Sequence, residues 1–318
     1  MNVKINTNKL ISRVANSVKF LMQQSILYVV VIISLGVFMG ACQSEQEERD
    51  RDDIKLAYAN WAEGVAISNL AAVVLEDELG YDVVTKMAPV SEVFELVASG
   101  EYHVFADVWL PKTHGHYVEE YSGEIETIGT IFNGARTGLV VPDYVDAQSI
   151  TDLQGKTGDY NGQIVGIEPT AGIMKSSRAA IDNYSLEGFE LIDSSGPVMA
   201  DSLRQAIMKR EPIVLTGWVP HWIWAEFNIR FLEDPQQVFG EEENIHAVAN
   251  AQALDKESRA AKFFSRFSIN RVQLSSLMSE IRSSDRLPAA TAREWVQDNP
   301  AIVNDWVEGI KPKRERIY

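Results

Sequence analysis

From residue 54 to residue 217, short apolar runs alternate with stretches whose apolar residues recur at helical spacing, and few folds accommodate that alternation. Residues 54–59 predict a strand, 63–79 a helix stopped by Gly80, 81–87 a second strand, 90–99 a short helix closed by Gly100, and 103–108 a third strand. The pattern resumes with a strand from residue 164, a Thr170-Ala171-Gly172 loop and a helix to about residue 184. A strand at 189–193, a helix at 197–209 and a strand at 213–217 follow. Strand–helix units of this length belong to α/β proteins with a mainly parallel sheet, in which ligands collect beyond the carboxyl ends of the strands. Trp61, Trp109 and Trp218 each follow such an end.

Residues 137–142, stopped by Pro142, and 245–250 interrupt the alternation and read as strands that cross between two lobes. Helices at 256–267, 270–283 and 291–299, with a last short one after Pro300, complete the chain. A chain that leaves one lobe, builds a second and returns makes a clamshell with a cleft between its halves. The expected division is lobe 1 over 54–142, lobe 2 over 143–244, and a crossing strand with C-terminal helices over 245–318 that completes lobe 1.

The N-terminus has a different character. Residues 1–41 carry Lys4, Lys9, Arg13 and Lys19 without an acid, then an apolar run over residues 26–41, shorter than the roughly 20 residues of a membrane-spanning helix. This layout predicts a secretion signal. Met39-Gly40-Ala41-Cys42 resembles a bacterial lipoprotein cleavage box, and lipidation would give the only cysteine, Cys42, a role in an exported chain. Residues 43–53 lack apolar side chains and read as a solvated tether, so that 42–53 form a lipid-anchored linker. Loss of the four basic residues of the signal takes the formal charge from −16 to −20, a balance that argues against nucleic-acid contact.

The residues offer little to catalysis. No second cysteine, Gly-x-Ser-x-Gly turn, phosphate loop or Gly-x-Gly-x-x-Gly after a strand is present, and His114 and His116 stand without an acid on a shared face, so neither metal nor cofactor is expected. Three indoles at strand ends suggest another chemistry. A methylated ammonium cannot be hydrogen-bonded, and the electron-rich faces of tryptophans are its natural surroundings. Gly172 and Ile173, at the start of a predicted helix, offer backbone N–H groups to an anion, and a protonated His114 would add a charge-assisted hydrogen bond. The ligand so inferred is a small zwitterion with a methylated cation and a carboxylate. Trp222, Trp224, Trp295 and Trp306 are assigned to packing, His221 to structural hydrogen bonding, and Glu63 and Asp107 to the orientation of loops.

Four segments carry a resemblance: Ala59-Asn60-Trp61-Ala62-Glu63-Gly64-Val65-Ala66, Asp107-Val108-Trp109-Leu110-Pro111-Lys112-Thr113-His114, Gly166-Ile167-Glu168-Pro169-Thr170-Ala171-Gly172-Ile173-Met174 and Thr216-Gly217-Trp218-Val219-Pro220-His221-Trp222. Together with Phe231-Leu232-Glu233-Asp234-Pro235 they resemble the glycine betaine/proline betaine substrate-binding proteins of ABC importers, over about residues 54–310. The resemblance implies a type II periplasmic-binding fold with a two-strand hinge that closes on its ligand. It also implies a trimethylammonium box matching Trp61, Trp109 and Trp218, with a carboxylate held by His114 and the amides of Gly172 and Ile173. Thr170-Ala171 and Val219 depart from the usual residues of these motifs without removing a box member. The implied protein is a monomeric, lipid-anchored receptor, periplasmic or on the cell surface, that serves a membrane permease. An exported enzyme acting on a choline-like or sugar substrate, and a sensor of the same fold, stay open on the sequence.

Overall fold

The computed structural model describes residues 53–311. The expected signal, Cys42 and the tether lie outside the described residues, except Asp53, which already belongs to the first strand. The first half of the fold opens with β1 (Asp53–Tyr58), α1 (Ala62–Asp77), β2 (Asp82–Met87), α2 (Val90–Ala98), β3 (Val104–Leu110) and α3 (Gly115–Glu120). β4 (Ile125–Pro142) leads into a second half of β5 (Gln163–Val165), α4 (Gly172–Asn183), β6 (Glu190–Ile192), α5 (Gly196–Lys209), β7 (Leu215–Val219), α6 (Ile223–Glu226) and β8 (Ile229–Phe231). β9 (Glu243–Asn250) returns the chain to the first half, which α7 (Arg259–Phe264), α8 (Arg271–Ser283), α9 (Pro288–Asp298) and α10 (Pro300–Val307) complete.

One sheet runs through both halves in the order β2-β1-β3-β9-β4-β7-β5-β6, with β8 also paired to β4. The expected mainly parallel sheet is corrected here. β1 pairs parallel with β2 and β3, and β5 with β6 and β7, but β3–β9, β4–β9, β4–β7 and β4–β8 are antiparallel. The antiparallel centre arises because the chain passes out along β4 and back along β9. β4 is also far longer than the expected 137–142. Its first part pairs with β9 through three register shifts, whose bulges interrupt the strand pattern on which sequence reading depends. The two passages meet where Ala135 lies opposite Glu243.

Helix α1 is buried almost all round, from Glu63 to Leu75. A helix apolar on every side needs cover on every side. The C-terminal helices supply part of it: Arg293 of α9 pairs with Glu76 and Asp77 at the end of α1. Trp295 and Trp306 stack at 6.2 Å with planes 9° apart, beside an aromatic cluster of Phe263, Phe264 and Phe267. α7 is shorter than the expected 256–267 because Ser258 caps it, accepting from Ala261 N–H, while α9 starts earlier than expected, with Pro288 in its first turn. Among the described residues no helix is long and apolar enough to cross a membrane.

Candidate ligand site

β3 and β7 extend further than their apolar runs suggest, so Trp109 and Trp218 lie within the last residues of their strands. Ladder pairing explains the extension, since Trp109 lies opposite Ile245 of β9 and Trp218 opposite Thr137 of β4. Trp61 is the residue that caps α1, directly after β1. All three indoles line one cavity together with His114, Gly172 and Ile173. The structure therefore gathers every predicted ligand residue around one space. Glu63, Thr113, Thr137, Ile167 and Ala171 complete the wall.

The histidine differs in charge from the sequence expectation. His114 is fully buried, and Trp109 N–H donates to its Nδ1 at 2.9 Å, while His114 N–H returns a bond to Trp109 O at 2.9 Å. An Nδ1 that accepts is unprotonated, so the neutral ring carries its proton on Nε2. Burial lowers the His114 pKa to about 3, with a smaller contribution from His116. The protonated His114 of the sequence reading is thus corrected to a neutral N–H donor. Nε2 has no partner among the described residues, and the ring stacks on Trp61 with centroids 5.5 Å apart and planes at 14°. A buried donor left unpaired is costly, and a ligand acceptor would satisfy it.

Across the cavity, α4 starts at Gly172 with no side-chain cap. Its first N–H groups have no intrahelical acceptor by position and carry the positive end of the helix dipole. Glycine is required at 172 because a Cβ there would come within 2.3 Å of Thr113 O. The helix start thereby sits against the loop that carries His114. Glu243 fixes that loop from beneath: one carboxylate oxygen accepts from Lys112 N–H at 2.7 Å and Thr113 N–H at 2.8 Å, and the other accepts from the Thr113 hydroxyl. Nothing near Glu243 in the sequence marks this role.

Each of the three cavity indoles donates its N–H to a carboxyl oxygen. Trp109 Nε1 donates to Asp107 at 2.9 Å, Trp218 Nε1 to Glu63 at 2.7 Å, and Trp61 Nε1 to Glu168. Glu63 and Asp107 were expected to orient loops; they hold rings instead. Burial drives the Asp107 pKa up to about 8, against the smaller opposing effect of its bond to Trp109. Burial, followed by repulsion from Asp107, raises Glu63 well above the usual carboxylate range. Gly64 makes room for the acid, since a Cβ there would lie 2.6 Å from Asp107 Oδ2.

The model of the OpuAC family, the substrate binding domain of ABC-type glycine betaine transport systems, matches residues 52–298. The chain belongs to the OpuAC family. The glycine betaine/carnitine transport binding protein GbuC of Listeria monocytogenes is 33% identical over 183 residues, a match that spans 57% of this chain and 59% of the relative's length. Lactococcal OpuAC, whose crystal structure is closed on glycine betaine, aligns with a TM-score of 0.76 at 30% identity, covering 81% of this chain and all of that one. The glycine betaine/L-proline-binding protein ProX of Borrelia burgdorferi aligns with a TM-score of 0.78 at 29% identity, over 81% and 97% of the two chains. The OpuAC member described here shares their two-lobed α/β fold.

Trp222 and Trp224 take packing positions just after β7, and Trp295 and Trp306 take theirs among the C-terminal helices. Trp224 Nε1 donates to Trp218 O at 2.6 Å and so fixes the end of β7, while Trp222 lies under the Arg282 guanidinium at 3.9 Å. His221 is buried edge-on to Trp218, its Nδ1 accepts from Ile223 N–H, and burial lowers its pKa to about 3. It is a neutral structural residue. Among the described residues no group of three or more His, Cys, Asp or Glu side chains could hold a metal ion.

Proposed function

We propose that this protein captures glycine betaine, or a closely related quaternary-ammonium zwitterion, outside the cytoplasm and delivers it to an ABC permease, without catalysing a reaction. The observation that carries the reading is the convergence, on one cavity, of three indoles, the unpartnered Nε2–H of His114 and the uncapped start of α4. The indole faces of Trp61, Trp109 and Trp218 enclose the cation, each contributing about 0.5–2 kcal/mol once water is excluded. The carboxylate takes the His114 Nε2–H and the N–H groups of Gly172 and Ile173, bonds strengthened by the ligand's charge. Family membership and the glycine betaine complex of the lactococcal relative support this assignment.

In this reading Cys42 carries the lipid that holds the receptor at the membrane, residues 43–52 are its tether, and the protein works as a monomer. Residues 143–242, up to the start of β9, close as lobe 2 against the rest. Calorimetric titration of the purified chain with glycine betaine tests the site: saturable binding that Trp109→Ala strongly weakens is expected. Absence of binding by the wild type, or undiminished affinity in Trp109→Ala, would refute it.

A further inference from the structure

The carboxyl groups that receive the three indole N–H bonds are arranged in two different ways. Trp109 donates to Asp107, two residues back on its own strand. Trp218, on β7 in the second half, donates to Glu63 in the first turn of α1, 155 positions away in the first half. Trp61, at the start of α1, donates in the opposite direction to Glu168, which follows β5 in the second half. The exchange is reciprocal: each half contributes one tryptophan and one glutamate to the other.

We propose that Glu63 and Glu168 form a two-point latch that makes closure of the halves and assembly of the aromatic box a single event. The proposal rests on the reading of the cavity as a quaternary-ammonium site and assigns both glutamates as positioning residues within it. The geometry supplies the reason. Separating the halves removes the acceptors of Trp61 and Trp218 together, so neither ring keeps its orientation toward the cavity. Joining the halves returns both N–H bonds and brings Trp61 and Trp218 to face the space that Trp109 already borders. Glu63 is 1% exposed, so its bond forms where water does not compete. The latch needs only an acceptor oxygen at each point, which an amide also supplies.

The test uses the full chain with Cys42→Ser and fluorophores on Met208→Cys and Val272→Cys, both highly exposed and on opposite halves. Single-molecule energy transfer is read without ligand and with saturating glycine betaine. Glu63→Ala and Glu168→Ala are expected to lower the closed-to-open ratio by about tenfold each, the fold-change of one hydrogen bond. Gln at either position is expected to restore most of that ratio. Glu294→Ala, which removes the carboxyl partner of Arg286 within the first half and away from the cavity, is expected to leave the closed fraction unchanged. Unaltered closure in both Glu→Ala variants overturns the latch, as does an equal loss of closure in Glu294→Ala. Measurement without ligand keeps the two ideas apart. A wild type that fails to bind glycine betaine removes the ligand reading, yet a ligand-free closed fraction that falls in the Glu→Ala variants still supports the latch, and one that does not fall still overturns it.

Discussion

Trp109 and Trp218 are counterparts. Each sits at the end of a strand, each precedes a cis-proline by two residues, at Pro111 and Pro220, and each donates its indole N–H to a buried carboxyl. The difference lies in where the acceptor comes from. Asp107 belongs to the same strand as Trp109, and His114, which exchanges two hydrogen bonds with Trp109, follows in the next loop, so the first wall of the cavity is complete within one half. The wall at Trp218 borrows Glu63 from the opposite half. One wall is built before closure and the other by it, so the first governs contact with the ligand and the second also governs the conformational equilibrium.

The sharpest way to break this comparison is to remove each ring. Trp109→Ala and Trp218→Ala are both expected to lose affinity for glycine betaine on the order of 100-fold, the desolvated cation–π contribution plus lost contact. Only Trp218→Ala should also fail to compact on ligand addition in small-angle scattering; a Trp218→Ala that compacts like the wild type would remove the distinction. A smaller effect comes from the seam between the walls. Gly172→Ala places a methyl where Thr113 O stands, and the resulting overlap should weaken binding about tenfold in calorimetry by holding the halves apart. Glu243→Ala strips three donors of their acceptor beneath the His114 loop. It should cost about 1–3 kcal/mol in denaturant unfolding with a several-fold loss of affinity, a defect confined to the prebuilt wall.

Effects of pH sharpen the comparison further. The Asp107 pKa rises from the ordinary carboxylate value to about 8 on folding, so the folded chain binds more protons than the unfolded one across that interval. Stability from this group is full below about pH 4 and is lost as pH rises toward about 8. Relative to Asp107→Asn, the melting temperature of the wild type should therefore decline from pH 5 to pH 8. His114 and His221 act in the other sense: their pKa values fall to about 3, so their contribution is present above about pH 6.5 and is lost on acidification toward 3. Because His114 is already neutral, glycine betaine affinity should not weaken as pH rises from 6 to 8 through the ordinary histidine range. A calorimetric series in which it does weaken would restore the charged anchor.

Much of the site was legible before any coordinates. Trp61, Trp109 and Trp218 follow strand-like runs, and Gly172 starts a helix pattern; those are local signals that local rules can read. Glu63 and Glu168 sit inside recognisable motifs, but their partners are 155 and 107 positions away, and no local pattern encodes a bond at that separation. Glu243 reaches its loop across 131 positions and has no local mark at all. The charge of His114 escaped for a related reason. Its state follows from complete burial and from a backbone N–H aimed at Nδ1, and both are properties of packing rather than of residue type.

The sequence by itself determined the α/β class, the return of the chain through a second crossing, and the three indoles and the helix start that surround the cavity. Periodicity and strand-end position are enough for these, because each depends on residues close together in the chain. Only the tertiary structure decided that the sheet is mixed, that β4 spans both halves, that His114 is a neutral donor, and that the two closing tryptophans are held by carboxyl groups from the opposite side. Each of these depends on which distant segments pack together and on how completely water is excluded between them.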